Sequence, residues 1–479
     1  MSDKDKFYRF RPISKLLGKN ELEEQIIYFA PPDQLNDPME GYRDIYWSGD
    51  VTIWKCFFRH YLLCLERMCS LLIIAGEDHP LSEKDMPVFG GGDDFPTEQY
   101  KNLFSKISKS FFSIKNVGLL INQIASRSTP VRRDELLFYL TCIHELAIEI
   151  IFQSYKEENL VQFGKGKQYK DSQLLEKIIQ DDFFTSIEKA INEKDSRGQI
   201  IDFLFAAQRN IQHQTEIIHR YNGLINNNKK NKNLVFVEFT EKYIKQLEKL
   251  LYPEWYAACF MSQCNNSSIW GNYADNHTGA CLIFRAQNEG ENYYLNVNGI
   301  NGWSSSSGPK RGIIKLKFYP IKYIKGFGEI DFFRSLGRLP MPTLNSVWYN
   351  FDSQKSECAD DIFTNETEWR ERYWGNFYRD ITTKSNDWKF EKESRLILSS
   401  SLDSFLKKED RLLNYHFDSL FGIIFGINTT IEDKLKIISI IDKKCEKLKR
   451  RDFKFFQAHY DSETGDISHK ELGLLKITK

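Results

Sequence analysis

The chain lacks several features that would assign it quickly to a functional class. Its nine cysteines include no Cys-x-x-Cys pair, and its net charge is zero because 66 basic residues balance 66 acidic ones. No Gly-Lys-Ser/Thr follows the glycines at 90–92, which excludes a phosphate-binding loop of that type. The balanced charge gives no overall attraction to nucleic acid, membranes or an acidic partner, although local patches remain open.

Long hydrophobic runs are also missing. The N-terminal residues Met1–Lys6 are charged and contain no apolar signal core. The most apolar window, Val51–Ala75, is interrupted by four charged residues, so we expect a core helix there and not a membrane span. Together with the irregularly spaced cysteines, this predicts a cytoplasmic protein with reduced thiols and no membrane partner.

The chain does have a composition that can form a core, with 41% hydrophobic and 14% aromatic residues. Segments with strand character flank a middle region in which apolar residues recur at helical spacing. The predicted strands are 7–12, 25–30, 257–262, 279–284, 293–297, 313–320, 422–427 and 453–459. The predicted helices are 53–75, 97–112, 133–157, 172–192, 197–226, 239–251, 365–387 and 431–449.

This order of elements predicts an α+β protein. A mixed β-sheet domain is expected at residues 1–52 and 234–479, split by a large α-helical insertion at residues 53–233. The polar, basic stretch 226–233 is expected to be a linker, and the Gly/Ser-rich stretch 298–312 a loop.

The stretch Trp388–Leu398 combines acidic and basic residues at the spacing of a strand. Glu391, Glu393 and Arg395 occupy alternate positions and would therefore share one face. A carboxylate held by an arginine keeps its charge, whereas one beside a second carboxylate can be driven to act as an acid. The same spacing is also typical of a solvated strand face with an ion pair.

Two N-terminal motifs are candidates for binding an anion or fixing a turn. Arg9 and Arg11 share one face of the first predicted strand, where they could bind a phosphate or serve as surface charges on an edge strand. Asn36 and Asp37 stand before Pro38 and predict a turn. Asn and Asp side chains bond to nearby backbone, and proline holds the residue before it extended.

A third group of candidates follows the strand predicted at 257–262. Ser262 ends this strand, and the turn and helix start that follow offer free N–H groups to an anion, or simply contain a helix-capping serine. Trp270, Tyr273 and His277 are spaced at i, i+3 and i+7 and would share a helical face. That face could stack on a planar ring or pack in a core.

These motifs resemble, in their order and spacing, a family of bacterial proteins known as a domain of unknown function. The shared pattern is Tyr-x-Phe-Arg, Asn-Asp-Pro-x-Glu, Trp-x-x-Tyr-Ala-x-x-His-x-Gly and Trp-x-x-Glu-x-Glu-x-Arg. The matching segments here are Tyr8–Arg11, Leu35–Glu40, Phe260–Gly279, Trp388–Arg395 and Gly422–Gly426. The resemblance covers residues 7–50 and 255–460 and leaves the helical region unexplained.

The same residues more distantly resemble the ADP-ribosyltransferase layout. That layout has an arginine on the first strand, an aromatic-x-Ser at a strand end and a Glu-x-Glu on a later strand. The resemblance implies NAD as the substrate. It also implies that Arg9, or Arg11, holds the NAD phosphates or ribose, and that Ser262 supports the nicotinamide ribose.

The resemblance also implies catalytic roles. Tyr273 would flank the nicotinamide, Glu393 would bind the ribose hydroxyl and stabilise the oxocarbenium, and Glu391 would orient the acceptor. A fixed carboxylate suits this reaction because breaking the N-glycosidic bond develops positive charge on the ribose. The remaining motif residues expected around the nucleotide are Asn36, Asp37, Trp270, His277 and Arg395.

A metal-dependent nuclease is one alternative. The nuclease pattern requires a lysine at the position that Glu393 occupies, which argues against it. Asp360, Asp361 and Asp380 nevertheless keep this class open.

Further alternatives use the cysteines or no catalysis at all. A thiol hydrolase would need Cys259 or Cys264 with His277, and a zinc site would need Cys264 with His277, but no recognisable nucleophile motif or closely spaced ligand pair is present. A non-catalytic nucleotide sensor or partner-binding module also fits. The basic and aromatic segments 315–319 and 322–325 could touch nucleic acid, although alternating strands look the same.

The leading hypothesis is an NAD-dependent ADP-ribosyltransferase or NAD glycohydrolase, with a toxin or antiviral defence role suggested by fold-level analogy. NAD is expected as the substrate, and no metal is expected. A protein or nucleic acid would be the acceptor, and the helical insertion would bind a target, sensor or inhibitor.

Overall fold

The computed structural model describes residues 5–91, 94–161, 173–180, 183–194, 199–400 and 404–475 and shows an α+β protein. The chain forms two compact units. Unit 1 comprises Met1–Tyr42, Pro253–Gly328 and Tyr378–Lys479, and unit 2 comprises Arg43–Tyr252 and Glu329–Phe377.

These units differ from the predicted division at their boundaries. The strand Asp44–Trp47 pairs in parallel with Glu329–Asp331, and both strands belong to unit 2. Residues 329–377, which the sequence placed with the sheet domain, are therefore part of the unit that holds the helices. Aromatic packing explains this, since the Phe333 ring lies edge-on to Trp54 at 5.1 Å.

The centre of unit 1 is an eight-stranded mixed sheet. In spatial order its strands are Tyr319–Pro320, Glu393–Ser399, Trp255–Met261, Lys6–Arg11, Ala280–Arg285, Leu420–Phe425, Lys454–Tyr460 and Ile467–Glu471. One pair, Leu420–Phe425 with Lys454–Tyr460, is parallel, and the others are antiparallel. We call Lys6–Arg11 the arginine strand, Trp255–Met261 the middle strand and Glu393–Ser399 the acidic strand.

Each face of this sheet covers its own hydrophobic core. Phe7, Leu396 and Leu398 point into the larger core, and Tyr8 and Phe10 point into a smaller one on the opposite face. The alternation of side chains along a strand produces this division.

A second sheet and a helix complete the larger core. The sheet strands, in spatial order, are Ile26–Tyr28, Leu412–Tyr415, Asn292–Ser304 and Gln287–Glu289, with Gly308–Lys317 also paired to Asn292–Ser304. The helix Ile431–Leu448 begins after a Thr430 cap and buries Ile437, Ile441 and Cys445, which lie four residues apart on one face. A short parallel pair joins Lys322–Ile324 to Thr383–Ser385.

Unit 2 is mainly helical. Its α-helices are Val51–Ala75, Glu98–Phe112, Lys115–Ala125, Arg133–Glu157, Gln173–Gln180, Phe183–Lys194, Gln199–Tyr221, Lys230–Phe236, Phe239–Leu247, Met341–Thr343 and Cys358–Phe363. One further helix, Glu366–Ile381, ends in unit 1. None of the helices in the described ranges is long and apolar enough to cross a membrane.

Two predicted irregular segments are regular in the structure. Residues 298–312 were expected to form a loop, but the strands Asn292–Ser304 and Gly308–Lys317 continue through them as one hairpin. Gly308, with φ of 73°, provides the left-handed conformation that the hairpin turn needs. The expected linker 226–233 overlaps the helix Lys230–Phe236, where buried Asn231 donates to the carbonyls of Gly76 and His79 at 2.7 and 2.8 Å.

Some predictions fall partly outside the described residues. These are the charged N-terminus at 1–4, the glycine run near 92 and parts of the helices predicted at 172–192 and 197–226.

Two buried histidines are hydrogen-bonded inside unit 2. His60 lies 2.8 Å from the Tyr243 hydroxyl and 3.0 Å from the Val88 carbonyl, and His144 lies 2.7 Å from the Tyr61 hydroxyl. Burial lowers the pKa of each histidine to about 4, since a protonated ring would be a desolvated cation.

We expect unit 2 to lose stability as the pH falls from about 6.5, the ordinary pKa of histidine, toward 4. In this window the unfolded chain binds protons that folded His60 and His144 exclude, so the stabilisation is complete above the window and is lost through it. His60→Gln or His144→Gln should flatten the dependence of the unfolding free energy on pH, measured by urea titration. His213→Gln, at an exposed histidine, is the control, and an unchanged slope in both buried variants would contradict this expectation.

Candidate functional site

A cleft opens in unit 1 where two strands of the central sheet separate. The arginine strand pairs with the middle strand only at Tyr8 and Met261. Elsewhere on the middle strand, Ala257 exchanges two backbone hydrogen bonds of 2.8 Å with Ala30. The gap between the two strands forms a cavity of about 230 Å³.

Arg9 lies at this cleft and is almost completely buried. Its guanidinium donates to the carbonyls of Cys259 and Tyr28 at 3.3 and 3.2 Å, and it lies 5.2 Å from the Phe260 ring. No carboxylate in the described part of the chain forms an ion pair with it. Burial, together with the nearby charge of Arg11, lowers the pKa of Arg9 to about 10.

Arg11 and Lys15 add two more positive charges to the cleft lining. Arg11 is paired with both carboxylate oxygens of Glu21, through Nε at 2.8 Å and through Nη2. Burial and the charge of Arg11 lower the pKa of Lys15. Among the described residues that line the cavity, the charged ones are these three cations, and Glu21 pairs with Arg11, so the cleft is electropositive.

The acidic motif forms a separate, buried ionic cluster. It consists of three glutamates and two basic residues, all less than 4% exposed at their side chains: Glu40, Glu391, Glu393, Lys384 and Arg395. We call these five residues the ionic cluster.

Arg395 is the centre of the ionic cluster. Its guanidinium binds Glu40 bidentately at 2.6 and 2.8 Å, and binds Glu393 through Nε at 2.6 Å and Nη2 at 3.2 Å. The fifth N–H donates to the Ile381 carbonyl at 3.1 Å. Every donor of the guanidinium is therefore used, which is the condition under which such a charge can be buried.

Lys384 supplies the second positive charge of the ionic cluster. Its ammonium lies 2.8 Å from Glu391, 3.3 Å from Glu393 and 3.5 Å from Glu40, and 4.6 Å from the Trp388 ring. Even so, three carboxylates share two cations.

The pKa values of the two motif glutamates, Glu391 and Glu393, are shifted in opposite directions. Burial alone would raise the pKa of Glu393, but the Arg395 guanidinium outweighs it and holds the pKa at about 2. Burial raises the pKa of Glu391 above its ordinary value, and Lys384 opposes this only in part. Glu391 is therefore the carboxyl of this pair that more readily takes a proton.

The structure places Arg9 and Arg11 on one face of the sheet and Glu393 on the other. Arg9 and Arg11 lie on the side of Phe7, which belongs to the larger core, whereas Glu393 and Arg395 alternate with leucines of that core. The middle strand also separates the arginine strand from the acidic strand. Neither Glu391 nor Glu393 lines the cavity, although the resemblance implies that Arg9 and Glu393 bind the same NAD molecule.

Glu391 also departs from the predicted strand. It ends a short 3-10 helix, Asn386–Glu391, and Lys392 follows with a left-handed φ of 45°. The acidic strand begins only at Glu393, so the expected Glu-x-Glu-x-Arg face holds for Glu393 and Arg395 alone.

Tyr273 connects the cleft to the ionic cluster. Its ring lines the cavity, its hydroxyl donates to Glu391 Oε1, and Asn36 Nδ2 donates to the same hydroxyl. Asp37 accepts a 2.9 Å hydrogen bond from the Met39 amide, which fixes the turn that brings Glu40 to Arg395. The Asn-Asp-Pro-x-Glu motif thus contributes to both the cleft and the cluster.

Ser262 is a structural partner of the acidic turn. It is exposed at the end of the middle strand, and both its amide and its hydroxyl donate to the Lys392 carbonyl at 3.0 and 3.1 Å. It does not line the cavity.

Trp270, Tyr273 and His277 do not share a helical face. The helix ends at Tyr273, and Asp275, Asn276 and His277 all have positive φ. Trp270 is fully buried in the smaller core, and the His277 ring stacks on it at 6.5 Å. Only Tyr273 of the three lines the cavity, because the left-handed turn folds His277 back over Trp270.

The residues of the alternative functions are placed as follows. Burial and the adjacent Glu393 raise the pKa of the Cys259 thiol well above its usual range, which disfavours a nucleophilic thiolate. Asp360 pairs with Lys355 and Asp361 with Arg372. Both lie in unit 2, whereas Asp380 lies in unit 1.

Sequence reasoning missed Glu40 and Lys384 as members of the ionic cluster. Glu40 stands in the Asn-Asp-Pro-x-Glu motif, and that position was the available signal. Lys384 has no motif around it, and only the pairing of Thr383–Ser385 with Lys322–Ile324 positions it.

We expect Glu40→Ala to lower the free energy of unfolding by about 3–5 kcal/mol, because it leaves the buried Arg395 guanidinium without its bidentate partner. Glu471→Ala removes an exposed partner of Lys454 in the same unit and should cost less than about 1 kcal/mol. Urea titration of both variants provides the comparison. Equal, small losses would show that the cluster does not depend on Glu40.

No family model, curated protein or solved structure matches this chain. The candidate function therefore rests on the geometry of the cleft and of the ionic cluster.

Proposed function

We propose that unit 1 binds a nucleotide in the cleft between the arginine strand and the middle strand. The observation that carries this proposal is that the charged residues among those lining the cavity are Arg9, Arg11 and Lys15, of which Arg11 is paired with Glu21.

The charges favour an anionic ligand. Arg9 and Lys15 both have lowered pKa values, from burial and from the charge of Arg11, so the cleft holds mutually repelling cations. A phosphate would relieve this repulsion and accept hydrogen bonds from the guanidinium groups.

The rest of the lining suits the remainder of a nucleotide. The Tyr8, Tyr28 and Tyr273 rings line the cavity and can pack against a base or ribose. Asn36 and Gln34 add polar groups at the same wall. The volume of about 230 Å³ is below the range of about 300–1,000 Å³ that encloses a whole drug-sized ligand, so it suits a single nucleotide unit.

We expect NAD, ADP and AMP to bind more tightly than adenosine in isothermal titration calorimetry, because adenosine lacks the phosphate. Lys15→Gln should weaken AMP binding about 10-fold, since one charge-assisted contact is lost. Arg311→Gln, at an exposed ion pair of the same unit, is the matched control. Equal affinity for adenosine and AMP, or no effect of Lys15→Gln, would argue against the proposal.

A reaction at NAD, as an ADP-ribosyltransferase or NAD glycohydrolase, is the second candidate. One observation favours it: the Tyr273 hydroxyl lines the nucleotide cleft and donates directly to Glu391, a carboxyl with a raised pKa. For Glu391 to touch the ribose, Tyr273 must move from its present position, because its hydroxyl is bonded to that carboxylate. Glu393 is held by Arg395 and Lys384. The ADP-ribosyltransferase-like fold and the helical insertion are part of this second proposal. The mixed sheet supports them, as does the division of the sheet-forming segments by helical segments along the sequence.

Release of nicotinamide from NAD tests the reaction. We expect wild-type protein to release it, and Glu391→Gln and Glu393→Gln to lower the rate at least about 100-fold, as loss of a catalytic acid–base or charge-stabilising group does. Glu471→Gln, far from the ionic cluster in sequence and exposed, is the control. Binding of NAD without nicotinamide release would support the nucleotide-binding role and contradict the enzymatic one.

A further inference from the structure

In the helix Gln199–Tyr221 of unit 2, the charged side faces the protein and an apolar side faces outward, which is the reverse of an ordinary amphipathic helix. Its four charged residues are Asp202, Arg209, Glu216 and Arg220, and their spacing by seven, seven and four places them on one side. The opposite side carries large apolar residues and no charge.

The charged side faces the rest of unit 2. Arg209 is paired with Asp134 at 2.9 Å and with Glu241 at 2.8 Å. Arg220 is paired with Glu216 at 2.7 Å and with Glu238 at 2.8 Å. The pairs with Asp134, Glu241 and Glu238, which lie outside the helix, hold it in a fixed rotation.

Two apolar anchors fix the same rotation. Ile201 and Phe205 are buried and pack with Ile187 and Phe138. The opposite side of the helix must therefore face away from this packing.

The outer side carries a continuous heptad-type seam. Its residues are Leu204, Ala207, Ile211, Gln214, Ile218 and Tyr221, separated by alternating steps of three and four. The large apolar members are 53–90% exposed, and so are Phe203 and Ile217 beside them. An exposed apolar stripe with this spacing is the seam of a helix that packs against a second helix.

We propose that this seam is a self-association surface, and that its occupant is the same seam of a second copy of the chain. A helix that covers a seam of this spacing needs the same repeat, and this helix supplies one. The seam carries no charge, so two copies meet without like-charge repulsion. One polar residue, Gln214, interrupts the seam, as polar residues do where they set helix register.

The available area is sufficient for a dimer. Five large apolar side chains on this side are more than half exposed: Phe203, Leu204, Ile211, Ile218 and Tyr221. At roughly 100 Å² each, two copies would bury about 1,000 Å², which is the area that a biological interface is expected to reach.

The test is the mass of the full chain in solution. Light scattering after size-exclusion chromatography at tens of micromolar should give twice 56.4 kDa for the wild type. Ile211→Glu and Ile211→Lys should each raise the dissociation constant at least about 30-fold, because each places an unpaired charge in the seam. His213→Glu, on an exposed position outside the seam, should leave the dimer intact.

Mixing the Ile211→Glu and Ile211→Lys variants should restore a dimer, since the opposite charges then face each other across the seam. This mixture also distinguishes a lost interface from a variant that fails to fold, as does circular dichroism of each variant alone. A wild type that stays monomeric, that assembles to a mass other than a dimer, or whose dimer survives both substitutions would overturn the proposal.

Discussion

The interaction on which unit 1 depends most is the burial of the Arg395 guanidinium. Its donors are met by Glu40 from the N-terminal turn, by Glu393 from its own strand and by the Ile381 carbonyl. A buried guanidinium is tolerated only when its charge and all its hydrogen bonds are satisfied. Three segments far apart in sequence must therefore meet at one point, and the turn at 36–40 is held there.

The turn at 36–40 also shapes the cleft. Asn36 reaches the Tyr273 hydroxyl, and Tyr273 stands between the cleft and Glu391. The positive cleft on one side and the ionic cluster on the other are thus joined through the Tyr273 phenol, which is bonded to Glu391, and through Cys259, which is bonded to Glu393. Under the proposed function, Tyr273 and Cys259 are groups through which a bound ligand would affect the glutamates.

Unit 2 depends on a different constraint, the rotation of its exposed helix. In most amphipathic helices apolar residues face inward because their burial stabilises the fold. In Gln199–Tyr221 the ion pairs of Arg209 and Arg220 face inward, together with the anchors Ile201 and Phe205. The periodicity shows two distinct sides, but only the packing shows which side is outside.

The sequence by itself determined the α+β class, most helices and strands, and the motifs around Arg9, Asn36 and Glu393, because periodicity and turn chemistry are local properties. Only the tertiary structure decided which face of a strand meets which partner. It set Arg9 and Glu393 on opposite faces and brought Glu40 and Lys384 to Arg395. The alternation of side chains defines the two faces of a strand but not what each face packs against, since that depends on pairings between residues hundreds of positions apart.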